Sequence, residues 1–414
     1  MKHVLIVGGG ASGMAAAVSA ARHGAAVTVM EKKEMPGKKI LSTGNGRCNL
    51  TNMDMKAVYF RGGNREAIER VLASFGAEDT LRFFGEMGLM VKTRGTLVYP
   101  ANDQAAAVRE ALSLEMKRLG VRVSVHTAVK EAGYQNGIFS VKAEGPQGMI
   151  KETADALILS CGGKAAPALG SDGSGYLLSS SFGHSLVRPV PALVQLRSDE
   201  SFLGKTSGVR ADARISLLVE GKKAAEAEGE IQFTDYGLSG IAVFQTSRFA
   251  ARAVSEKRKV EAVLDFIPAL SREEFASFLR GRRTVFAQNT AEEFLHGVFH
   301  RKLVPVILTR SRIRWKEKVE YLAEEQMEGL AAVCKAFRVR ITGTNAFDQA
   351  QVCAGGIPLQ EIKIPSMESV MVKNLYLTGE LLDVDGMCGG YNLQWAWATG
   401  FLAGAAAARK GNHQ

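Results

Sequence analysis

Cysteine is scarce in this chain. Five occur in 414 residues, at 48, 161, 334, 353 and 388, an odd number with no Cys-x-x-Cys pair. That excludes a disulfide framework and a structural zinc site, and it suits a reducing cytoplasm. Long apolar runs are also missing. The least polar stretch, 391–408, contains Asn392, Gln394 and two glycines, so it reads as a buried helix rather than a membrane span. No signal peptide is expected, because the first apolar run already belongs to a strand–turn–helix pattern. The chain has no internal repeat and no low-complexity tract.

What remains is ordinary globular composition, with 46% apolar and 23% charged residues. A chain of this length exceeds one core, so two or three domains are expected. The formal charge of +10 is unevenly placed. Residues 248–340 hold 19 Lys and Arg against 12 Asp and Glu, a net +7, whereas 374–408 hold three acids and no Lys or Arg. The basic segment could attract nucleic acid or an anionic substrate. The reading favoured here is a solvated helical surface, since no RNA-binding motif accompanies the charge and nucleic acid is not an expected partner.

The most informative feature is VLIVGGGASG at residues 4–13, followed by VTVME ending at Glu31. Gly8-x-Gly10-x-x-Gly13 follows an apolar strand and opens an alanine-rich helix. Gly8 allows the tight turn, Gly10 lets backbone approach a pyrophosphate, and Gly13 lets the helix pack on the sheet. The first N–H groups of the helix, near Ala11 and Ser12, face the phosphates, where the helix dipole favours negative charge. Glu31 stands where a carboxylate accepts ribose hydroxyls. The pattern predicts bound FAD or NAD. A second such fingerprint is absent, so a nicotinamide must dock without its own fingerprint domain, or a flavin exchanges electrons with something else.

Two further segments carry cofactor signals. GKKILSTGNGRCNLTN (37–52) places Lys38, Lys39 and Arg47 among small residues, Thr43, Gly44, Asn45 and Gly46, that expose backbone N–H groups to a pyrophosphate or a reduced flavin. Cys48 in this loop is either a lowered-pKa nucleophile or, the reading favoured here, a small packed side chain. LTGELLDVDGMCGGYNLQ (377–394) ends a strand at Gly379 and continues through Glu380, Asp383 and Asp385. Gly389 and Gly390 precede a helix start near Tyr391 and Asn392, whose N-terminus stabilises negative charge on a flavin. DVDG suggests a calcium loop, but the EF-hand spacing and its final Glu are missing, so no metal is expected.

Along the chain, residues 64–88 look helical and 94–100 look like a strand or hairpin. Asn102 or Asp103 can cap a helix running to about Leu119. Residues 121–129 alternate as a strand, 138–143 with 149–153 form a hairpin outside the main sheet, and 154–163 is a buried strand. The character changes around 189–191. Short alternating strands fill 192–245 and charged helical patterns 271–335. Strand-like segments return at 339–343 and 374–383. This predicts a discontinuous cofactor-binding domain, residues 1–190 and 350–414, with 192–345 inserted as a second domain.

GGGASGMAAA, the 37–52 loop, SCGGKAAPALGSDGSGYLLSSSFGH (160–184), FTDYGLSGIAVFQ (233–245) and LTGELLDVDGMCGGYNLQWAWATG (377–400) resemble the YhiN/BaiN family of bacterial flavoproteins, also called aminoacetone-oxidase-like. The likeness runs from residue 1 to about 408. It implies an α/β fold: a Rossmann-like FAD-binding domain of the glutathione reductase type (a two-dinucleotide-binding-domain flavoprotein), with an inserted domain of β-barrel and helical parts. Carried onto this sequence, the resemblance implies FAD contacts at Gly8, Gly10, Ala11, Ser12, Gly13, Glu31 and Lys32. It implies more along Lys38, Lys39, Thr43, Gly44, Asn45, Gly46, Arg47, Cys48 and Asn49, and at Val129, Cys161 and Gly162. The last group is Gly379, Glu380, Asp385, Gly390, Tyr391, Asn392 and Leu393. Many relatives carry a Lys after the sequence Met-Glu-Ser; here Met367, Glu368 and Ser369 are followed by Val370.

Three functions follow as expectations. The first is a cytoplasmic FAD-dependent oxidoreductase, an NAD(P)H-linked reductase or dehydrogenase of a small organic substrate; the resemblance adds a 3-oxo steroid or bile-acid enone, because one family member is assigned such a step. The second is an amine oxidase using oxygen. The third is a tRNA-associated flavoprotein using the basic insertion. No residue identifies a catalytic acid or base or the oligomeric state.

Overall fold

The computed structural model describes residues 1–409, which divide into two compact units, 1–189 with 351–409, and Val190–Ala350. The first unit opens with strand β1 (His3–Val7), helix α1 (Ala11–Arg22) and strand β2 (Ala26–Met30). Residues 4–7 are all buried, as a strand covered on both faces requires. Five parallel strands run in the order Leu375–Leu377, Ala156–Leu159, β1, β2, Arg122–Ser124, and Glu368–Ser369 and Ile362–Lys363 add an antiparallel margin. In register, Val7 lies opposite Leu159 and Met30, and Leu159 opposite Leu377, so four carboxyl ends stop level. The chain leaves β1 for β2 on one side and meets Ala156–Leu159 on the other. That switch point is where a crevice opens in sheets of this kind.

The C-terminal helix Tyr391–Ala408 packs on α1 through small residues. A Cβ added at Gly400 would stand 2.2 Å from the Ser12 carbonyl oxygen, and one at Gly404 would stand 2.3 Å from that of Ala16. The least polar stretch of the sequence is therefore a buried helix. No helix among the described residues is long and apolar enough to cross a membrane.

Three sequence expectations need correction. Residues 64–88 form two helices, Arg65–Ser74 and Ala77–Gly85, because Phe75 is extended and Gly76 starts the second. Asn102 does not cap the next helix, Ala105–Arg118, whose cap is Gln104; Asn102 instead accepts the Gln104 N–H in a turn, and Asp103 binds Lys92 and Arg94. Residues 121–129 are not one strand. Arg122–Ser124 pairs with β2, then His126 turns at φ +50°. The N–H groups of His126 and Thr127 bond the carbonyls of Lys33 and Glu31 instead of a sheet neighbour. Ala128–Gln135 then joins a separate antiparallel sheet with Ile138–Gly145 and Gly148–Ala154.

The second unit has its own core. Its antiparallel strands run in the order Phe337–Ile341, Val260–Asp265, Arg210–Val219, Lys222–Thr234, Gly237–Ser239, Leu196–Arg197, Gly343–Thr344. The first and last of these are joined by Thr342 alone, so the sheet rolls round on itself as a barrel. Helices Ile241–Ser255, Arg272–Val285, Val304–Arg310 and Glu324–Lys335, with the short Leu203–Thr206 and Ala291–Leu295, belong to the unit, and buried side chains such as Phe275 and Ile307 join the same core.

Candidate cofactor site

A cavity of about 300 Å³ opens at the carboxyl ends of the parallel strands, and every residue lining it belongs to the first unit. The glycine turn forms one wall. Gly8 has φ +97°, and a Cβ there would stand 2.6 Å from the Ser160 carbonyl oxygen. At Gly13 a Cβ would stand 2.0 Å from the Gly8 carbonyl oxygen, so helix and turn touch. At Gly10 a Cβ would meet nothing within 4 Å. Two of the three glycines are thus demanded by the protein's own packing, while the third faces open cavity. That division is what a pyrophosphate lying over Gly10 needs.

Two helix N-termini reach the same space. No side chain caps α1 at Gly10, and Ala11 and Ser12 line the cavity. No side chain caps the C-terminal helix at Gly390, φ +89°, and Asn392 and Leu393 line it. Uncapped N–H groups and two positive helix ends favour an anionic ligand.

Charged walls complete the site. Glu31 is buried; one carboxylate oxygen accepts the Gly9 N–H at 2.7 Å and the other the Lys33 N–H at 2.8 Å. It therefore braces the glycine turn while its remaining lone pairs face the cavity. The four cavity lysines beyond it are each paired: Lys32 with Asp172 at 2.6 Å, Lys38 with Glu34 at 2.8 Å, Lys39 with Glu380 at 2.9 Å, and Lys130 with Glu144 at 2.9 Å. Lys39 also donates to the Ala165 carbonyl at 3.0 Å, and Glu380 accepts the Cys353 N–H at 2.7 Å. Asp172 is held down to about 2, against its burial, by hydrogen bonds from Lys32 and Ser174.

Of the residues singled out in the sequence, Gly8, Gly10, Ala11, Ser12, Glu31, Lys32, Lys38, Lys39, Thr43, Val129, Cys161, Gly162, Glu380, Asn392 and Leu393 line this cavity. The others do not. Gly13 lies beneath the turn. Gly44, Asn45, Gly46 and Arg47 are exposed, and Cys48 is fully buried with its thiol pushed up to about 12 by burial. Gly379 packs on Ser12, and Asp385 is buried in a short strand pairing with Arg61. Asn49 and Gly390 meet away from the lining: with the Asn49 amide oriented to satisfy its neighbours, its oxygen accepts the Gly390 N–H at 3.2 Å. Tyr391 is buried against Tyr59 and Phe60. Asp172, Ser174, Thr127, Gln351 and Trp395 also line the cavity and carried no separate signal, although Asp172 sits in the GSDGSG turn where an acid between glycines was legible.

A family model described as "HI0933-like protein Rossmann domain" matches residues 2–406. The chain belongs to this family. As an HI0933-like protein it is an FAD-dependent oxidoreductase on a Rossmann-type α/β fold, and the cradle at Gly10 fits that cofactor. Bound FAD supplies two-electron redox chemistry at its ring. The chain is 45% identical, over 99% of its own length and 100% of the relative's, to the 3-dehydro-bile acid delta(4,6)-reductase of Clostridium scindens. It is 27% identical, over 98% of both chains, to the ribosomal RNA dihydrouridine synthase of Haemophilus influenzae. Among solved structures, the 3-ketosteroid delta1-dehydrogenase of Sterolibacterium denitrificans shares the fold at a TM-score of 0.54, with 11% identity over 99% of this chain and 100% of that one. Like this HI0933-like chain, the two relatives are matched over nearly their whole lengths, insertion included.

Proposed function

We propose that this protein reduces a carbon–carbon double bond conjugated to a carbonyl, with a 3-oxo steroid or bile-acid enone as substrate and NAD(P)H as electron donor. The observation that carries the reading is the 45% identity across both full lengths with a protein named for reduction of such bonds. The reaction adds hydride to an electrophilic carbon of the conjugated system and a proton to the carbon α to the carbonyl, the two electrons coming from reduced nicotinamide. The chain's part is to hold the cofactor: Glu31 fixes the glycine turn, Lys39 and Glu380 tie the 37–46 loop to the turn after Leu375–Leu377, and two helix ends favour negative charge. The FAD contacts proposed are the cavity-lining residues named above, with the exposed residues 44–47 closing toward the ring.

A second reading has its own support. Two relatives at 27% and 26% identity are named ribosomal RNA dihydrouridine synthases, and residues 248–340 carry the net +7. The chemistry is shared, because uracil presents a double bond conjugated to a carbonyl, so a single flavin site serves either substrate class.

The test is anaerobic. Protein reduced with NADH or NADPH is mixed with a 3-oxo-4,6-diene bile acid, and return of the oxidised flavin spectrum with loss of dienone absorbance supports the first reading. No response to the dienone, together with loss of dihydrouridine from ribosomal RNA in a deletion strain, selects the second. Reoxidation by oxygen alone rejects both.

A further inference from the structure

We infer that the turn at residues 312–321 in the Val190–Ala350 unit is a docking ridge for single-stranded RNA. The proposal rests on the ribosomal RNA reading and names the surface that reading requires.

The ridge is built by alternation. The sequence RSRIRWKEK, 310–318, has a cation at every second position. Ser311 and Ile313 are buried, Ile313 within the core of this unit, and Ser311 donates to the Ile307 carbonyl at 2.9 Å. With those two turned inward, Arg312, Arg314 and Lys316 are turned outward and exposed. None of the three has an ion-pair partner among the described residues, whereas neighbouring basic side chains of this unit are committed: Arg310 to Glu200, Lys335 to Asp265, Arg338 to Glu261 and Arg340 to Asp199. The acids of the ridge are less available. Glu317 and Glu320 are half-buried, and Glu320 is held by Gln288 at 2.7 Å and faces Lys318.

Aromatic faces stand among these cations. Trp315 is 46% exposed and Tyr321 70% exposed. The Trp315 indole N–H donates to the Thr309 hydroxyl at 3.3 Å, which ties the partly exposed ring to the end of helix Val304–Arg310. Unpaired cations together with exposed aromatic faces are the two elements of single-strand recognition: phosphates bind the former, and unstacked bases stack on the latter. A duplex keeps its bases stacked inside and would use the cations alone, so the aromatic pair selects a single strand.

The molecule carries its own reporter. Of three tryptophans, Trp395 and Trp397 are buried in the first unit, leaving Trp315 as the one exposed indole. Holoenzyme is titrated with a short fluorescein-free oligouridylate while tryptophan emission is followed, and affinity is measured separately by anisotropy of a labelled copy. The expected result is quenching on binding and a negative log–log salt slope, with about 0.7 lost from that slope for each cation removed. Trp315→Ala should weaken binding by about tenfold and abolish the quenching. The triple variant Arg312→Ala, Arg314→Ala, Lys316→Ala should flatten the salt dependence. None of these residues lines the cofactor cavity, so FAD content and reduction by dithionite should stay at wild-type values. Failure of wild type to bind, or equal binding by the variants, overturns the ridge. Quenching by inorganic polyphosphate as strong as by oligouridylate, binding to anionic vesicles instead of RNA, or a change in oligomeric mass in Trp315→Ala also overturns it. These readouts need no turnover, so the loss or retention of dihydrouridine in a deletion strain judges the underlying reading separately.

Discussion

At residue scale, the three glycines of the nucleotide turn separate folding from binding. Gly10 has open space where a Cβ would stand, so Gly10→Val is expected to purify colourless, without FAD, and to melt at the temperature of FAD-stripped wild type. Gly13→Ala puts a methyl group 2.0 Å from a carbonyl oxygen of the turn, and it should lose about 1–3 kcal/mol by thermal melting. If both variants lost stability equally, the cradle assignment would fail. The cysteines give a second residue-scale expectation. None of the five is in a disulfide, and burial pushes the thiols of Cys48, Cys161, Cys353 and Cys388 up to about 12, so none of these four is a thiolate at neutral pH. Cys48→Ser should retain FAD and most of its turnover. Anaerobic dithionite titration should consume two electrons per FAD; uptake of four with a charge-transfer band would reveal a dithiol.

At the scale of elements, ion pairs between segments do what the sequence did not disclose. The βαβ start, the hairpin outside the main sheet and the C-terminal helix were legible, because apolar periodicity and glycine spacing are local signals. The break at His126 and the pairings of Lys32, Lys38 and Lys39 were not. The first depends on carbonyls of Glu31 and Lys33, and two of the three pairings depend on acids remote in sequence. Lys32 and Asp172 stand on two walls of the cavity, so Asp172→Asn should speed FAD release several-fold, measured by flavin fluorescence after dilution. Glu115 offers a pH test. Hydrogen bonds from Arg118 and Arg22 hold it down to about 2, tying α1 to the Ala105–Arg118 helix. A carboxylate depressed in the folded state stabilises fully above its ordinary range and loses that contribution as pH falls from about 4.5 toward 2. Glu115→Gln should therefore cost about 1 kcal/mol at pH 7 and almost nothing near pH 2, read from melting curves at both values.

For the whole molecule, two cores imply two folding units. The Val190–Ala350 unit closes its own barrel and buries its own phenylalanines, so the excised segment is expected to unfold in one cooperative transition by circular dichroism. A broad, non-cooperative melt would mean that it depends on the flanking unit. The other unit cannot be made so simply, since its two pieces lie on either side of this insertion in the chain.

That arrangement has a consequence during synthesis. Glu380 and Val384, after the strand Leu375–Leu377, and the start of the helix Tyr391–Ala408 supply one wall of the cofactor cavity, and they follow the insertion in the chain. The N-terminal piece, with its glycine turn already made, must wait on the ribosome while the whole insertion emerges and folds. Cofactor capture is thus deferred until the residues beyond the insertion have emerged. A nascent chain stopped before residue 375 would carry the complete fingerprint and a folded barrel yet hold no flavin, so a yellow colour certifies that translation has passed the cavity residues of the C-terminal helix, Asn392 to Ala396.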